Sequence, residues 1–156
     1  MVKKIVVGVD NSDTALRAAE KAAFLAESLG AELYVVSAFN VRMSETLQSV
    51  RGKNEAEAVT EAYHSVIAKY FESAQRTAAA VTEALHTGFP ELTITPKALE
   101  GDPGVTLSSE AESLGAELIV VGNKRVQGIT RILGSVARSV ASGATCDLYI
   151  VYTHQR

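Results

Sequence analysis

The sequence has no tryptophan, only three prolines and a single cysteine, Cys146, among its 156 residues. One cysteine cannot form an internal disulfide, and its scarcity is typical of proteins from a reducing compartment. No segment approaches the ~18 consecutive apolar residues of a membrane-spanning helix. The first residues, MVKKIVVGVD, lead straight into a predicted strand and do not resemble a signal peptide. We therefore expect a cytoplasmic protein with no membrane partner.

An excess of positive charge is also missing. The 15 Lys and Arg residues against 18 Asp and Glu give a formal net charge of −3. This balance argues against a nucleic-acid partner, because such proteins usually carry a strongly basic face. The basic residues that do cluster in the sequence are Lys124, Arg125, Arg131 and Arg138. A local cluster of this kind suits a small anionic ligand better than a polyanion.

Catalytic motifs are absent from the sequence as well. His64, His86 and His154 are scattered and show neither metal-ligand spacing nor the pattern of a catalytic triad. No Gly-x4-Gly-Lys-Ser/Thr segment is present, which excludes an ordinary P-loop nucleotide hydrolase. We expect no catalytic residues, no metal-ligand cluster and no efficient enzymatic activity.

A repeated phrase organises the chain. Leu29 to Val36 reads LGAELYVV and Leu114 to Val121 reads LGAELIVV. In each copy the glycine, Gly30 or Gly115, is placed to end a helix in the left-handed conformation, and a continuous apolar strand follows. The copies are far apart and the segments between them differ, so they indicate stacked βα units rather than a solenoid. With 47% hydrophobic residues, the chain has enough apolar side chains for one well-buried core. We expect a single domain over residues 1–156.

Hydrophobic periodicity predicts alternating strands and helices. Three helices are expected to end at Leu29, at Gly115 and near Gly143. A fourth, long helix is expected from Glu55 to about Leu85. Its apolar residues recur at helical spacing: Val59, Ala62, Val66, Tyr70 and Ala74. The polar stretch from Asn40 to Asn54 is expected to be a loop or lid. The alternation predicts an α/β fold, a parallel sheet with helices on both faces. Its strands are Lys3 to Val9, Glu32 to Ala38, Leu92 to Leu99, Leu118 to Val121 and Leu148 to Thr153.

The strand that ends at Val121 leads into a candidate anion site. Gly122 lets the backbone turn, and after a basic loop Gly134 and Ser135 open the last helix. The first amides of a helix have no partner within it and lie at the positive end of its dipole, so they favour a phosphate. The alternative is that these glycines only make a tight connection between strand and helix.

Three segments of the sequence resemble the universal stress protein family over nearly the whole chain. They are IVVGVDNSDTALRAAEKA, EGDPGVTLSSEAESLGAELIVVG and LGSVARSVASGATCDLYIV. ATP-binding members of that family carry a Gly-x2-Gly-x9-Gly-Ser/Thr motif whose glycines and hydroxyl wrap the phosphates and ribose. Gly122, Gly134 and Ser135 match this motif. The second glycine of the motif is replaced by Arg125, and Gly128 is a displaced candidate for this missing glycine. Eight residues separate Arg125 from Gly134, where the motif has nine.

The resemblance implies a doubly wound five-stranded sheet in the order 3-2-1-4-5. The ligand would lie at the carboxyl ends of strands one and four, where open α/β sheets generally bind ligands. Asp10 would be the acidic residue near adenine and ribose; the alternative is that it is a plain helix cap. Ala38 would form an apolar wall for adenine; the alternative is that it only packs in the core. Lys124 and Arg125 are either solvated loop charges or ligand contacts. As a ligand contact, Arg125 grips phosphate oxygens, and its side chain could equally fill the site. The predicted cofactor-binding residues are Val9, Asp10, Ala38, Val121, Gly122, Lys124, Arg125, Gly128, Gly134, Ser135 and Val136.

Three functions are consistent with these observations. The leading one is a regulatory module of the stress response that binds ATP or a related adenine nucleotide, with or without Mg²⁺, and lacks efficient turnover. The others are a slow ATP-hydrolysing enzyme and a dimeric protein-interaction module that has lost nucleotide binding. The carboxyl-terminal strand, CDLYIVYTH, would lie at a sheet edge and is apolar, so we expect a homodimer paired through it.

Overall fold

A computed structural model describes residues 1–41, 55–123 and 133–152 of the chain. Strands and helices alternate through these segments as predicted. The expected loop or lid at 40–54 lies almost entirely outside the described residues. The elements, numbered in chain order, are β1 Lys4–Gly8, α1 Asp13–Leu29, β2 Glu32–Phe39, α2 Glu55–Gly88, β3 Ile94–Glu100, α3 Pro103–Leu114, β4 Leu118–Asn123, α4 Ser135–Gly143 and β5 Asp147–Tyr152.

The five strands form one parallel sheet in the order β3-β2-β1-β4-β5, which confirms the predicted fold class. The central strand β1 pairs with β2 on one side and β4 on the other, so Val7 lies opposite both Val35 and Val120. The chain leaves β1 towards one edge and returns on its other side at β4. This reversal of strand order opens a crevice at the carboxyl ends of β1 and β4.

The sheet is buried on both faces because its strands are apolar at consecutive positions. Val6 and Val7, both 0% exposed, point into separate cores, since side chains along a strand alternate between faces. The alanine face of α1 and the second half of α2 cover the Val7 core. Helices α3 and α4 cover the Val6 core with Leu107, Ala111 and Val140. Burying a valine or leucine side chain in these cores contributes about 1.5–3 kcal/mol.

The two copies of the repeated phrase fold alike. Gly30 and Gly115 have φ angles of 66° and 65°, the left-handed conformation that ends α1 and α3. After each glycine the next amide donates back into the helix: Ala31 to the carbonyl of Ala26 and Ala116 to that of Ala111, both at 2.8 Å. The predicted helix ends are therefore confirmed at both sites.

Glu117, in the second copy, joins the start of β4 to the amino end of the chain. Its Oε2 accepts hydrogen bonds from the backbone amides of Lys3, at 3.2 Å, and Lys4, at 3.0 Å. The amide of Lys4, followed by that of Lys3, stabilises the carboxylate and lowers the pKa of Glu117. This contact lies at the amino ends of the strands, opposite the crevice.

Several predicted boundaries need correction. β4 continues to Asn123 instead of ending at Val121, β1 ends at Gly8, and α2 runs on to Gly88. Of the apolar residues that recur at helical spacing on α2, Ala74 is buried and Tyr70 is 36% exposed. Within the described segments, no helix combines the length and apolar character that a bilayer crossing needs.

Candidate functional site

A cavity of about 400 Å³ lies at the carboxyl ends of β1, β2 and β4. Its volume falls in the range of about 300–1,000 Å³ that is usual for small-molecule sites. The starts of α1, α3 and α4 close it from the sides. Every predicted site residue within the described segments contributes to its wall: Val9, Asp10, Ala38, Val121, Gly122, Gly134, Ser135 and Val136.

Three predicted site residues, Lys124, Arg125 and Gly128, lie outside the described residues, as does Arg131 of the basic cluster. The remaining member of that cluster, Arg138, lies on α4. Its guanidinium donates to the carbonyl of Leu133 at 3.1 Å. In the described part of the cavity wall, Asp10 is the one ionisable side chain.

The start of α4 differs from the other helix starts that face the cavity. Ser12 caps α1, where its hydroxyl accepts from the amide of Ala15, and Asp102 caps α3 through the amide of Val105. The residue that caps α4 is Gly134, and no described side chain bonds to the first turn of this helix as a cap. The first amides of α4 are thus the donors that a ligand in the cavity can use.

Asp10 lies in the connection between β1 and α1, beside a group of hydroxyls. Its Oδ1 accepts from the amide of Ser12 at 2.8 Å and also from the Ser12 hydroxyl. The Ser12 Oγ lies 2.8 Å from the Thr14 hydroxyl oxygen. Of the two interpretations of Asp10, the plain cap of α1 is wrong, because Ser12 occupies that position. The exposed Asp10 carboxylate instead holds the cap residue and contributes an acceptor to the cavity wall.

The opposite wall of the cavity is apolar. Ala38 is half-buried and lies there with Val36, from the same face of β2. Leu107 of α3 completes this wall and packs against β1 so closely that a Cβ at Gly8 would fall 2.6 Å from its Cδ1. Sequence reasoning missed Leu107, since its place in the site depends on how α3 packs across the sheet.

Asn123 is a second residue that sequence reasoning missed. It is the last residue of β4, its side chain is 5% exposed, and it lines the cavity. Its Oδ1 accepts a hydrogen bond of 2.8 Å from the amide of Gly134. A sequence signal was available: a polar residue directly after the strand glycine stands at the sheet edge where α/β folds bind ligands.

Other reactive side chains of the described segments lie away from the cavity. Burial, with a smaller contribution from Asp147, raises the pKa of the Cys146 thiol, which disfavours the reactive thiolate. His64 and His86 are exposed on α2. No group of three or more His, Cys, Asp and Glu side chains is arranged to hold a metal ion in the described part of the chain.

Comparisons with known proteins agree with the fold. The family model described as the universal stress protein family matches residues 1–152. The universal stress protein MJ0531 of Methanocaldococcus jannaschii is 29% identical over 152 residues, which cover 97% of this chain and 82% of that protein. The universal stress protein Rv1636 of Mycobacterium tuberculosis is 30% identical over 154 residues, 97% of each chain.

Solved structures share the whole architecture. The hypothetical protein MJ0577 superposes with a TM-score of 0.77 at 20% identity, over 100% of this chain and 99% of that one. A universal stress protein in complex with cAMP gives 0.66 at 24% identity, covering 98% and 99%. A universal stress protein from Archaeoglobus fulgidus in complex with dAMP gives 0.60 at 23% identity, covering 96% and 98%.

Proposed function

Because this chain belongs to the universal stress protein family, we propose that it is a regulatory module of the stress response that binds ATP or a related adenine nucleotide. The observation that carries the proposal is the start of α4. It has no side-chain cap, and it faces a cavity of about 400 Å³ at the reversal point of the sheet. An anionic group is the ligand that such a helix start favours.

The cavity wall fits the three parts of a nucleotide. The phosphate lies against the amides of Ser135 and Val136 at the start of α4. Asp10, at the start of the β1–α1 connection, accepts hydrogen bonds from ribose hydroxyls or from the amino group of the base. The apolar wall with Ala38 and Leu107 packs against adenine. The adenine nucleotides in two neighbouring structures, cAMP and dAMP, support this class of ligand.

Lys124, Arg125 and Gly128 complete the site in this proposal. Arg125 contributes a charge-assisted phosphate contact in place of the backbone of a glycine. If its side chain fills the site instead, replacing it with glycine strengthens binding. Mg²⁺ bound to the phosphates is optional in this proposal, because the described wall offers a single carboxylate as a metal ligand.

We propose further that the protein acts in the cytoplasm by binding, without efficient turnover. A carboxylate beside a helix start lacks the positioned base and nucleophile that rapid hydrolysis needs. A slow ATP-hydrolysing activity is the alternative on the same scaffold.

A second proposal concerns assembly, and the edge strand β5 favours it. Tyr149 and Tyr152 are 40% and 62% exposed and point to opposite faces of this strand, so aromatic surface flanks the edge on both sides. Its outer backbone groups have no partner strand within the described sheet. Pairing of two copies about a two-fold axis would satisfy those groups, giving a homodimer.

Native mass spectrometry of the purified protein, followed by calorimetric titration, tests the nucleotide proposal. We expect a mass increment equal to an adenine nucleotide, or saturable binding of ATP, AMP or cAMP to stripped protein. Titration with GTP controls for charge alone. Absence of binding for every adenine nucleotide, in protein shown to be folded, would favour the interaction module.

A further inference from the structure

Asn123 joins two elements that both face the cavity. It ends β4, opposite Tyr152 of β5 in the sheet register, and its side chain is almost fully buried. Its hydrogen bond reaches Gly134, eleven residues further along the chain. The carbonyl of the same glycine accepts the first bond of α4, from the amide of Arg138 at 3.0 Å. One side chain thus fixes where α4 begins relative to the end of β4.

The hydrogen bond to Gly134 shows which atom of the Asn123 side-chain amide is the oxygen and which is the nitrogen. A backbone N–H can only donate, so the atom that faces Gly134 is the oxygen. The other half is a neutral NH₂ group, and Asn123 as a whole places no charge in the wall next to the first amides of α4. An aspartate has nearly the same shape and keeps the acceptor, but it brings a negative charge to this place.

We propose that Asn123 is a positioning residue that holds the start of α4 against the ligand and makes the site selective for a phosphate. This inference rests on the proposed nucleotide binding. The oxygen of Asn123 fixes the helix start through Gly134. The neutrality of the amide leaves the positive end of the α4 dipole available to the phosphate, which an acidic side chain in the same place would oppose.

The close fit at Gly134 supports the positioning role. A Cβ added to this glycine would lie 3.1 Å from the Asn123 Oδ1, tighter than an ordinary van der Waals contact. The backbone of Gly134, with φ −60° and ψ 162°, is open to any residue. Space beside Asn123, and not backbone conformation, is therefore what favours glycine here.

Two variants separate the two parts of the role. Asn123→Asp keeps the acceptor for Gly134 and adds a charge, whereas Asn123→Ala removes the acceptor and adds none. Gln75→Glu is the control, since it makes the same amide-to-carboxylate change at an exposed position of α2. Each protein is titrated with adenosine, AMP and ATP, and exchange of the Gly134 amide hydrogen is followed by NMR.

We expect Asn123→Asp to bind adenosine within about twofold of the parent and AMP and ATP at least about tenfold more weakly, because only the phosphate meets the new charge. The Gly134 amide stays protected in this variant and exchanges faster in Asn123→Ala. The Gln75→Glu control matches the parent throughout.

Two results would overturn the inference while leaving the proposed function intact. One is an Asn123→Asp variant that binds AMP and ATP as tightly as the parent. The other is a loss of adenosine and nucleotide binding by the same factor, which would reduce Asn123 to a purely structural role. A parent that binds none of the three ligands refutes the proposed function itself, and this inference with it.

Discussion

Gly104 of α3 packs directly against Ser139 of α4, and a Cβ at position 104 would fall 2.3 Å from the Ser139 Cβ. The carbonyl oxygen of Val136 would lie 3.3 Å away on the same side. Since α3 and α4 both contribute their first turns to the cavity wall, this contact sets the distance between two sides of the site. A glycine at 104 lets the helices approach that closely.

Replacing Gly104 with alanine should therefore push the two helices apart. We expect a loss of about 1–3 kcal/mol in the free energy of unfolding, the usual cost of overpacking, and weaker ligand binding. Urea denaturation measures the first and calorimetry the second. Ser139→Gly removes the opposing Cβ, so the double variant should recover part of the loss; additive effects in this double-mutant cycle would contradict the contact.

Gly134→Val tests the phosphate end of the cavity. The β-branched side chain crowds Asn123 and the space in front of the α4 amides, so nucleotide affinity should fall at least about tenfold while the protein stays folded. Gly88→Val is the matched control, because a Cβ at Gly88 meets nothing within 4 Å. Calorimetric titration compares the two, and equal affinity in both would refute the assignment of the α4 start.

Rapid catalysis should be absent. We expect steady-state phosphate release from ATP to stay well below about 1 per second, since the described wall supplies no positioned base beyond the single carboxylate of Asp10. A coupled phosphate assay with and without Mg²⁺ measures it. Turnover at or above that rate, abolished in Asp10→Ala, would make the protein an enzyme.

The decrease in the free energy of unfolding at acid pH should depend on Glu117. Its pKa is lowered in the folded protein from an ordinary value of 4.5, so the carboxylate contributes stability at pH values above 4.5. That contribution is lost as the pH falls through the lowered pKa, where the folded state takes up the proton. Urea denaturation between pH 7 and pH 3 should therefore show a shallower decline for Glu117→Gln than for the parent.

Glu112→Gln is the charge-matched control for this experiment. Glu112 is an exposed residue of α3, so its replacement changes the net charge by the same amount without touching the amides of Lys3 and Lys4. A decline in Glu117→Gln as steep as in the parent would show that the two backbone hydrogen bonds do not determine the acid stability.

The homodimer should depend on the edge strand β5. Tyr152→Lys adds charge to the exposed edge and should convert a dimer to a monomer in sedimentation at micromolar concentration, with little change in thermal stability. Phe24→Lys, at a 55% exposed position of α1, is the matched aromatic-to-lysine control and should remain dimeric. A monomeric parent would refute the proposed assembly.

Local signals in the sequence were sufficient for the alternation of strands and helices, whereas the strand order was implied by the family resemblance. Gly30 and Gly115 end their helices through contacts within a few residues, and continuous apolar runs mark the buried strands. On α2, hydrophobic periodicity indicates a helix face but not what covers it, since Ala74 is buried and Tyr70 is 36% exposed. Helix α2 is about 51 Å long at 1.5 Å per residue, and every described side chain between residues 56 and 73 is exposed or half-buried.

The site could be predicted in part. Glycines and a hydroxyl at the ends of β4 and the start of α4 are visible as a motif, and the eight described residues of that prediction meet at one cavity. The partners that shape this cavity, Leu107 against Gly8 and Asn123 against Gly134, are joined across the fold. The sequence carried a signal for Asn123, but the contact distances of both pairs depend on how the helices pack on the sheet.

The placement of β1 at the centre of the sheet has a consequence for the order of folding. Its pairing with β2 closes a short loop, whereas the pairing with β4 brings together segments as distant as Lys4 and Glu117, 113 residues apart. Closing this longer loop costs more chain entropy than closing the β1–β2 loop, so the β1–β2–β3 half can collapse first. The ligand crevice between β1 and β4 is then among the last features to form, and a nascent chain acquires it only after β4 has left the ribosome.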